Sequence, residues 1–146
     1  MRNQKVTYMQ KQIKQTWVFK QQPSEVWEYL TKPELLEQWL MPNDFKPIVG
    51  HKFCFVVSQG KDGKSANILH YCEVLELIPF KKLSYSWKKD DMSVNSKVSW
   101  TLIPKAGGTE LHLVHDGFID EQPFISHNNG WPIVGGRLVE LLNASK

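Results

Sequence analysis

Histidines are the residues of this chain whose chemistry could support acid–base catalysis or metal binding. There are five of them: His51, His70, His112, His115 and His127. A metal centre needs several imidazole, thiolate or carboxylate ligands within reach of one ion. His112 and His115 fall on opposite faces of a predicted strand, because side chains alternate along a strand, so they cannot chelate together. We therefore expect no metal site and no bound cofactor.

Two of these histidines have a predicted place in the fold. His115 shares its strand face with Leu111 and Leu113, which directs its ring toward the core. One interpretation is a buried histidine satisfied by a backbone carbonyl or a hydroxyl. The other is a polar anchor that hydrogen-bonds a ligand carbonyl or phenol. His127 lies just before a predicted helix, where it either caps the helix or lines the mouth of a cavity.

No motif for covalent or phosphate chemistry accompanies the histidines. The sequence has no G-x-S-x-G elbow, no Walker phosphate loop, no G-x-G-x-x-G and no H-E-x-x-H. Two carboxylates, Glu73 and Asp116, are candidate catalytic acids or bases by their position only. The face of Glu73 cannot be assigned from the alternation, and Asp116 shares parity with the wet face of its strand. We predict no catalytic residue.

The composition indicates one globular domain without nucleic-acid or membrane partners. The 146 residues carry 18 basic and 15 acidic side chains, and a net charge of +3 is too small for a nucleic-acid binder. No apolar stretch reaches membrane-spanning length and no signal peptide is found, so we expect a cytoplasmic monomer or weak homodimer. Cys54 and Cys72 lack C-x-x-C spacing and are predicted to be reduced. The domain is assigned to 12–146, after a polar extension at 1–11.

Alternating hydrophobic patterns predict most of the fold. A strand at 12–20 precedes two short helices, and further alternating strands fill residues 53–117, giving about six or seven strands in all. Alternation of this kind is typical of antiparallel sheets with one buried face. A long sheet with one C-terminal helix to cover it must curl around that helix, so we predict an α+β fold.

The helix boundaries are predicted from capping and breaking residues. Thr31 and Glu34 match a capping box at the start of the second short helix. Apolar side chains at helical spacing predict a long C-terminal helix that begins near residues 128–130. Gly135 and Gly136 are poor helix formers inside it, and they are tolerable if something approaches the helix closely. Either a ligand or a tryptophan of the facing sheet would explain them.

Aromatic side chains are abundant on the predicted inward faces. Aromatics make up 12% of the chain, and six of them are tryptophan. Aromatic walls with one or two polar handles suit a flat apolar ligand, and simple core packing accounts for the same residues. A straight helix on a curved sheet favours a cavity between them. The predicted cavity residues are Trp39, Phe45, Phe53, Phe55, Tyr85, Trp87, Trp100, Leu113, His115, Trp131, Val134 and Leu138.

Several short motifs stand in order along the chain: Val26-Trp27, Thr31-x-Pro33-Glu34-Leu35-Leu36-x-x-Trp39-Leu40, Gly50-x-x-Phe53, Val74-Leu75-Glu76-x-x-Pro79-x-x-x-Leu83-x-Tyr85-x-Trp87, Gly108-Thr109-x-Leu111-x-Leu113-x-His115-x-Gly117-Phe118 and His127-x-x-Gly130-Trp131. Together they resemble the family named after the activator of the heat-shock protein 90 ATPase, in the START-like (SRPBCC) superfamily. The resemblance covers roughly residues 12–142. It implies the helix-grip fold, a cavity for lipids, polyketides or other apolar ligands, and no universal catalytic residue.

Three functions are compatible with these features. The first is a module that binds a hydrophobic small molecule, such as a lipid, flavonoid or polyketide, between the sheet and the C-terminal helix. The second is a protein-interaction or co-chaperone-like module, which predicts an exposed apolar patch and has a chaperone as its implied partner. The third is a cyclase or hydrolase-like enzyme in the same cavity, which needs His115 or Glu73 with a perturbed pKa.

Overall fold

This computed structural model describes residues 12–57, 68–89, 96–118 and 121–144. These residues contain six strands and three helices. The strands form one antiparallel sheet, and the predicted α+β helix-grip fold is confirmed. The extension at 1–11 lies outside the described residues. In chain order the elements are β1 (Gln12–Phe19), α1 (Pro23–Thr31), α2 (Pro33–Trp39), β2 (Lys52–Val57), β3 (Ile68–Ile78), β4 (Lys82–Lys89), β5 (Ser96–Lys105), β6 (Gly108–Asp116) and α3 (Glu121–Ala144).

The sheet has the strand order β1-β6-β5-β4-β3-β2, so β1 and β2 are its edges. Its inner face follows from the two-residue period of a strand. On β5, Val98 and Trp100 are buried, and on β6, Leu113 and His115 are buried, as the alternation predicts. The register sets Trp100 opposite Leu113 and Val98 opposite His115. Central inward positions of neighbouring strands therefore meet in one continuous core.

The face of β3, which the alternation left open, is decided by a bulge. Cys72 and Val74 are buried on the inner face, whereas Glu73 points outward. The register with β4 shifts between Val74 and Glu76. After the shift Leu77 packs against the core, three residues beyond Val74 instead of two. A bulge adds one residue to one strand, which reverses the parity of everything after it.

The two short helices begin at prolines, and the predicted capping box is wrong. α2 starts at Pro33 with Lys32 as its N-cap residue. Proline suits a first helical position because the N–H that it lacks would have no partner there. Thr31 instead ends α1, where its hydroxyl donates to the Trp27 carbonyl oxygen at 2.9 Å. The pattern failed because a threonine in the last turn of a helix can bond back to its own helix.

The long helix α3 begins at Glu121, several residues before the predicted start near 128–130. Gly130 and Pro132 are unfavourable in a helix by about 1 and 3 kcal/mol relative to alanine, which made them resemble a boundary. Packing overrides this preference. Phe124, His127 and Trp131 follow one another at spacings of three and four residues, so the first two continue the stripe of inward side chains toward the N-terminus of the helix.

A tryptophan of β1, and not a ligand, explains one glycine of α3. A Cβ atom on Gly135 would overlap the indole ring of Trp17, so glycine is needed for the helix to approach β1 this closely. Gly136 differs, because a Cβ atom there would meet nothing within 4 Å. The two neighbouring glycines therefore have different roles, and only Gly135 is a packing requirement.

These two glycines provide a matched pair of substitutions. Gly135→Ala should lower the free energy of unfolding by about 1–3 kcal/mol, because the methyl group must displace Trp17 from a packed site. Gly136→Ala should raise it by up to about 1 kcal/mol through helix propensity alone. Urea denaturation followed by circular dichroism measures both. Equal effects of the two substitutions would contradict the proposed role of the Trp17 contact.

Candidate functional site

The interior between the sheet and α3 has two chemically different ends. At one end the buried side chains include the leucines Leu83 and Leu111, and the ring of Trp27 on α1 contacts Phe80 in the β3–β4 turn. At the other end the inner face carries imidazole and indole rings. We call this the histidine end and define it by His70, His115 and His127.

His115 on β6 is completely buried and both of its ring nitrogens are hydrogen-bonded. The indole Nε1 of Trp131, on α3, donates to His115 Nδ1 at 3.0 Å. Because Nδ1 accepts, the proton of the neutral ring must be on Nε2. That proton points to the hydroxyl of Ser96, whose Oγ lies 2.7 Å from Nε2. The Ser96 hydroxyl in turn donates to the carbonyl oxygen of Trp87 at 3.1 Å.

Burial keeps the His115 ring neutral. Desolvation is the largest cause that lowers its pKa from 6.5 to about 2, and the nearby His127 and His70 rings lower it further. A protonated ring would also turn the accepting Nδ1 into a donor facing the donating N–H of Trp131. The contacts therefore match the interpretation of a histidine satisfied by a hydroxyl. A role as a ligand anchor would require exchange of one of these bonds.

The Ser96–His115 contact has the length of a nucleophile–base pair but the wrong proton arrangement. A serine nucleophile needs a histidine nitrogen that accepts the hydroxyl proton. Here Nε2 already carries a proton, because the Trp131 N–H occupies Nδ1. This geometry opposes a general-base role for His115. The sequence analysis missed Ser96, although it shares inward parity with Val98 and Trp100.

His127 lies within the first half of α3 and does not cap the helix, contrary to one interpretation of its position. Its Nε2 accepts a hydrogen bond from the indole Nε1 of Trp87, on β4, at 3.0 Å. His127 is half-buried, whereas the rings around it are more deeply placed. The ring centroid of His115 is 5.1 Å away and that of His70 is 6.1 Å away. His70 and Phe118 are further members of this cluster that the sequence analysis did not select.

Tyr85 supplies a further polar group in the interior, its phenolic hydroxyl. Its hydroxyl oxygen accepts a hydrogen bond from the indole N–H of Trp100 at 2.9 Å. No described residue accepts the hydrogen of that hydroxyl in turn. Tyr85 is fully buried among Phe45, Phe53 and Phe55, and this burial raises its pKa. The hydroxyl is therefore a neutral donor held inside an aromatic environment.

The structure brings the twelve predicted cavity residues into one cluster. Eleven of them are buried, and Val134 is partly buried against the same cluster. Trp39 and Phe45 are only 1% exposed and lie inside the core. Trp39 packs edge-on against Trp100, with ring centroids 5.7 Å apart. That these residues line a ligand cavity remains a prediction.

The carboxylates weighed as catalytic candidates lie outside this interior. Glu73 points to the outer face of β3, and the Asp116 carboxylate is 3.4 Å from the Gln12 amide nitrogen on the neighbouring strand. Within the described residues no cluster of three or more His, Cys, Asp or Glu is suited to a metal ion. Cys54 and Cys72 are free, and burial raises the pKa of both thiols. None of the described helices could span a membrane.

A shallow groove of about 360 Å³ is present on the opposite, outer face of the sheet. It is open to solvent, and it is lined by both positive and negative side chains as well as by apolar ones. Its residues are distinct from the twelve predicted ones except for Phe53. The lining residues are Asp44, Lys52, Phe53, Cys54, Tyr71, Cys72, Glu73, Ser86 and Lys88.

A curved antiparallel sheet that grips one long helix, with a buried aromatic and imidazole cluster between them, defines a helix-grip protein. The chain belongs to the family described as Activator of Hsp90 ATPase homolog 1-like protein, which matches residues 20–143. This agrees with the resemblance found in the sequence. No curated protein gives a significant match.

Solved structures of similar proteins share the fold over nearly the whole chain. Protein MLL2253 from Mesorhizobium loti is 32% identical, with a TM-score of 0.80 over 93% of this chain and 99% of that one. The Aha1 dimer from Colwellia psychrerythraea is 20% identical, with a TM-score of 0.76 over 90% and 96% of the two chains. A protein in the dynemicin biosynthetic locus is 22% identical, with a TM-score of 0.77 over 92% of this chain and 48% of that one.

The neutral state of His115 predicts a pH dependence of stability. In the unfolded chain His115 binds a proton near its ordinary pKa of 6.5, whereas in the folded protein it does so only near 2. Between these values the unfolded state binds more protons, so the free energy of unfolding falls as the pH falls. This single group contributes roughly 1 kcal/mol per pH unit well below 6.5.

Urea denaturation between pH 7.5 and 4.5 measures this effect. His115→Gln, which does not titrate, should show a shallower loss of stability on acidification than the wild type. His112→Gln is the control, since His112 is half-exposed on the outer face. An unchanged pH slope in His115→Gln would contradict the buried neutral state of this ring.

Proposed function

We propose that this protein binds a hydrophobic small molecule between the sheet and α3, at the histidine end. The observation that carries the proposal is the set of indole and imidazole groups buried there. A core that only had to pack could be aliphatic, as it is at Leu83, Leu102 and Leu111. Burying polar groups is unfavourable unless each is satisfied, so an interior that keeps several of them needs a further reason.

The surroundings of Trp87 support the proposal of a site for a flat ligand. The ring centroids of His70, Phe55 and Trp131 lie 4.8, 5.3 and 5.8 Å from that of Trp87. Small-molecule sites are lined mainly by apolar and aromatic side chains, with a few polar groups that fix orientation. The indole N–H of Trp87 and the imidazole of His127 supply such groups at this end.

Access is easiest where α3 is intrinsically weakest. Gly130 and Pro132 lie within the helix just after His127, and each is unfavourable for helix stability. The part of α3 before Pro132 can therefore separate from the sheet at lower cost than the part held by Gly135 and Trp17. We propose that the ligand enters by displacement of this first half, toward the Trp87–His127 contact.

The relatives give this proposal context without identifying a ligand. One structural relative belongs to the dynemicin biosynthetic locus, and such a location suits a partner of small molecules. At 22% identity this likeness supports the shared fold, and the ligand class of our proposal rests on the buried groups themselves. A lipid, a flavonoid and a polyketide-like aromatic are the classes to be tested first.

A thermal-shift screen tests the proposal. A ligand present at about 100 times its dissociation constant stabilises the folded state by about 2.7 kcal/mol, which raises the melting temperature measurably. Fatty acids, sterols, flavonoids and polyketide-like aromatics are screened against the wild type. Trp87→Phe should weaken binding of any hit about tenfold, because it removes the indole N–H and shortens the aromatic wall.

Trp27→Phe is the matched control for this experiment. Trp27 is also buried, but it lies at the opposite end of the interior against Phe80. The same chemical change there should leave ligand affinity unchanged while it reduces stability. A screen without any hit, or equal losses of affinity in the two variants, would count against a site at the histidine end.

An exposed apolar patch favours a second candidate, a protein-interaction function. Ile48 and Val49 are 58% and 59% exposed, and Leu75 on β3 is 45% exposed. The Gly50 N–H donates to the Val74 carbonyl oxygen at 2.8 Å, which joins these two stretches of backbone. Neighbouring exposed apolar side chains are typical of protein-binding surfaces.

The family description directs the test of this second candidate to an Hsp90-type chaperone. If the patch contacts the chaperone, the purified protein should raise the chaperone's ATPase rate. Val49→Asp should abolish that increase, because a charge is unfavourable in an apolar interface. The control is Val18→Asp, since Val18 is also exposed, at 69%, on β1 at the other edge of the sheet. No stimulation by the wild type would rule out activation of the chaperone through this patch.

A further inference from the structure

We infer that the ligand carries a neutral hydroxyl group, which inserts between Trp87 Nε1 and His127 Nε2 and replaces their direct hydrogen bond. This inference rests on the proposed function. The two nitrogens, 3.0 Å apart, belong to opposite walls of the grip, Trp87 to β4 and His127 to α3. His127 is half-buried, whereas the Trp131–His115 pair beyond it is fully buried. A molecule entering from the histidine end therefore meets the Trp87–His127 pair first.

The chemistry of the pair selects the group that can replace it. Once the walls separate, the Trp87 N–H needs an acceptor and His127 Nε2 needs a donor. A hydroxyl supplies both on a single oxygen atom, since it has two lone pairs and one hydrogen. A ketone or an ether only accepts, which leaves Nε2 without a donor, and an ammonium only donates. Each buried polar atom left unpaired weakens binding.

Charged ligands fit this end poorly. Among the side chains that the structure describes, no Asp, Glu, Lys or Arg is buried, so none of them offers a counter-charge to an ion in the interior. A carboxylate could be held only if an imidazole took up a proton. Desolvation and the neighbouring His127 and His70 rings lower the pKa of His115, which shows that this surrounding opposes a positive ring. A neutral hydroxyl needs neither a buried counter-charge nor a protonated imidazole.

The rest of the surroundings specifies the body of the ligand. Aromatic rings from β2, β3, β4 and α3 surround Trp87, so a planar ring system stacks there with the least loss of contact. Deeper along the same strand, Tyr85 holds a hydroxyl hydrogen that no described residue accepts, and its ring centroid is 6.4 Å from that of Trp87. A second oxygen on the ligand, of the carbonyl type, would satisfy it.

These requirements define one ligand class, a planar hydroxyaryl compound with a carbonyl oxygen on another part of its ring system. The phenolic hydroxyl lies toward the solvent side, between Trp87 and His127. The carbonyl oxygen lies toward Tyr85. Fatty acids do not meet these requirements because they are anionic. Sterols do not meet them because their ring system is not a flat aromatic one.

A series of naphthalenes tests the inference on the unmodified protein. The probes are 2-naphthol, 2-methoxynaphthalene, 2-naphthoate and 6-acetyl-2-naphthol, and affinity is measured by isothermal titration calorimetry at pH 7.5. Methylation removes only the donor of the hydroxyl, so 2-naphthol should bind about tenfold more tightly than its methyl ether. The acetyl compound should bind more tightly again, and the naphthoate should bind least.

Two substitutions connect the hydroxyl preference with the proposed pair. His127→Phe keeps an aromatic ring but removes the acceptor, so the preference for 2-naphthol over its methyl ether should fall from about tenfold to near unity. Trp87→Phe should reduce the affinity for both compounds. His112→Phe makes the same change on the outer face and should leave the preference intact. The comparison of ligands on the wild type remains decisive even if a variant proves unstable.

The outcomes separate this inference from the proposed function. Equal binding of 2-naphthol and its methyl ether, or a preference that survives His127→Phe, overturns the hydroxyl inference while an internal site stands. The inference of a neutral ligand is overturned if 2-naphthoate binds most tightly and its binding takes up a proton. Calorimetry in buffers of different ionisation enthalpy measures that proton uptake. If the naphthalenes fail but the wider screen yields a ligand without a hydroxyl, only the inference falls. If nothing binds in either experiment, the proposed function falls with it.

Discussion

The close contact between Gly135 and Trp17 is the constraint on which the arrangement of this protein depends. It allows the second half of α3 to lie directly on the ring of an edge-strand tryptophan. A straight helix held close to one side of a curved sheet cannot follow the sheet everywhere else. The first half of α3 therefore meets the sheet through long side chains, and His127 and Trp131 span the interval to Trp87 and His115.

Those bridging contacts form an ordered set of donors and acceptors. Indoles only donate, so each tryptophan that faces an imidazole fixes which ring nitrogen must be without a proton. The Trp131 contact sets the tautomer of His115, and His115 then orients the hydroxyl of Ser96. Such a network gives a single well-defined geometry, and it removes the free acceptor that a serine nucleophile would need. Binding is therefore better supported by this interior than hydrolysis.

Much of the fold could be predicted from the sequence because strand alternation depends only on burial. The inward faces of β5 and β6, including His115, follow directly from parity. The face of β3 could not be predicted, since the bulge after Val74 reverses parity and no residue type announces a bulge. The start of α3 was misjudged because Gly130 and Pro132 obey local propensity, whereas tertiary packing of Phe124 and His127 decides the boundary.

Only part of the candidate site could be predicted from the periodicity of the sequence. Periodicity identifies which side chains face inward, and eleven of the twelve selected residues are buried. It does not tell which inward groups bond to each other. The pairing of Trp87 with His127, and of Ser96 with His115, joins residues distant in the sequence. Hydrogen-bond partners of this kind depend on how the helix crosses the sheet, which no local pattern encodes.

The Trp17–Gly135 contact also has a consequence for how such a protein can change over evolution. The two positions, one on β1 and one on α3, share a single volume. A side chain can appear at 135 only if the residue at 17 becomes smaller, or if the helix moves outward and takes His127 and Trp131 with it. Substitutions far from the histidine end can thus alter the spacing of its two walls. Relatives of this chain could acquire different interiors without any change in the residues that face them.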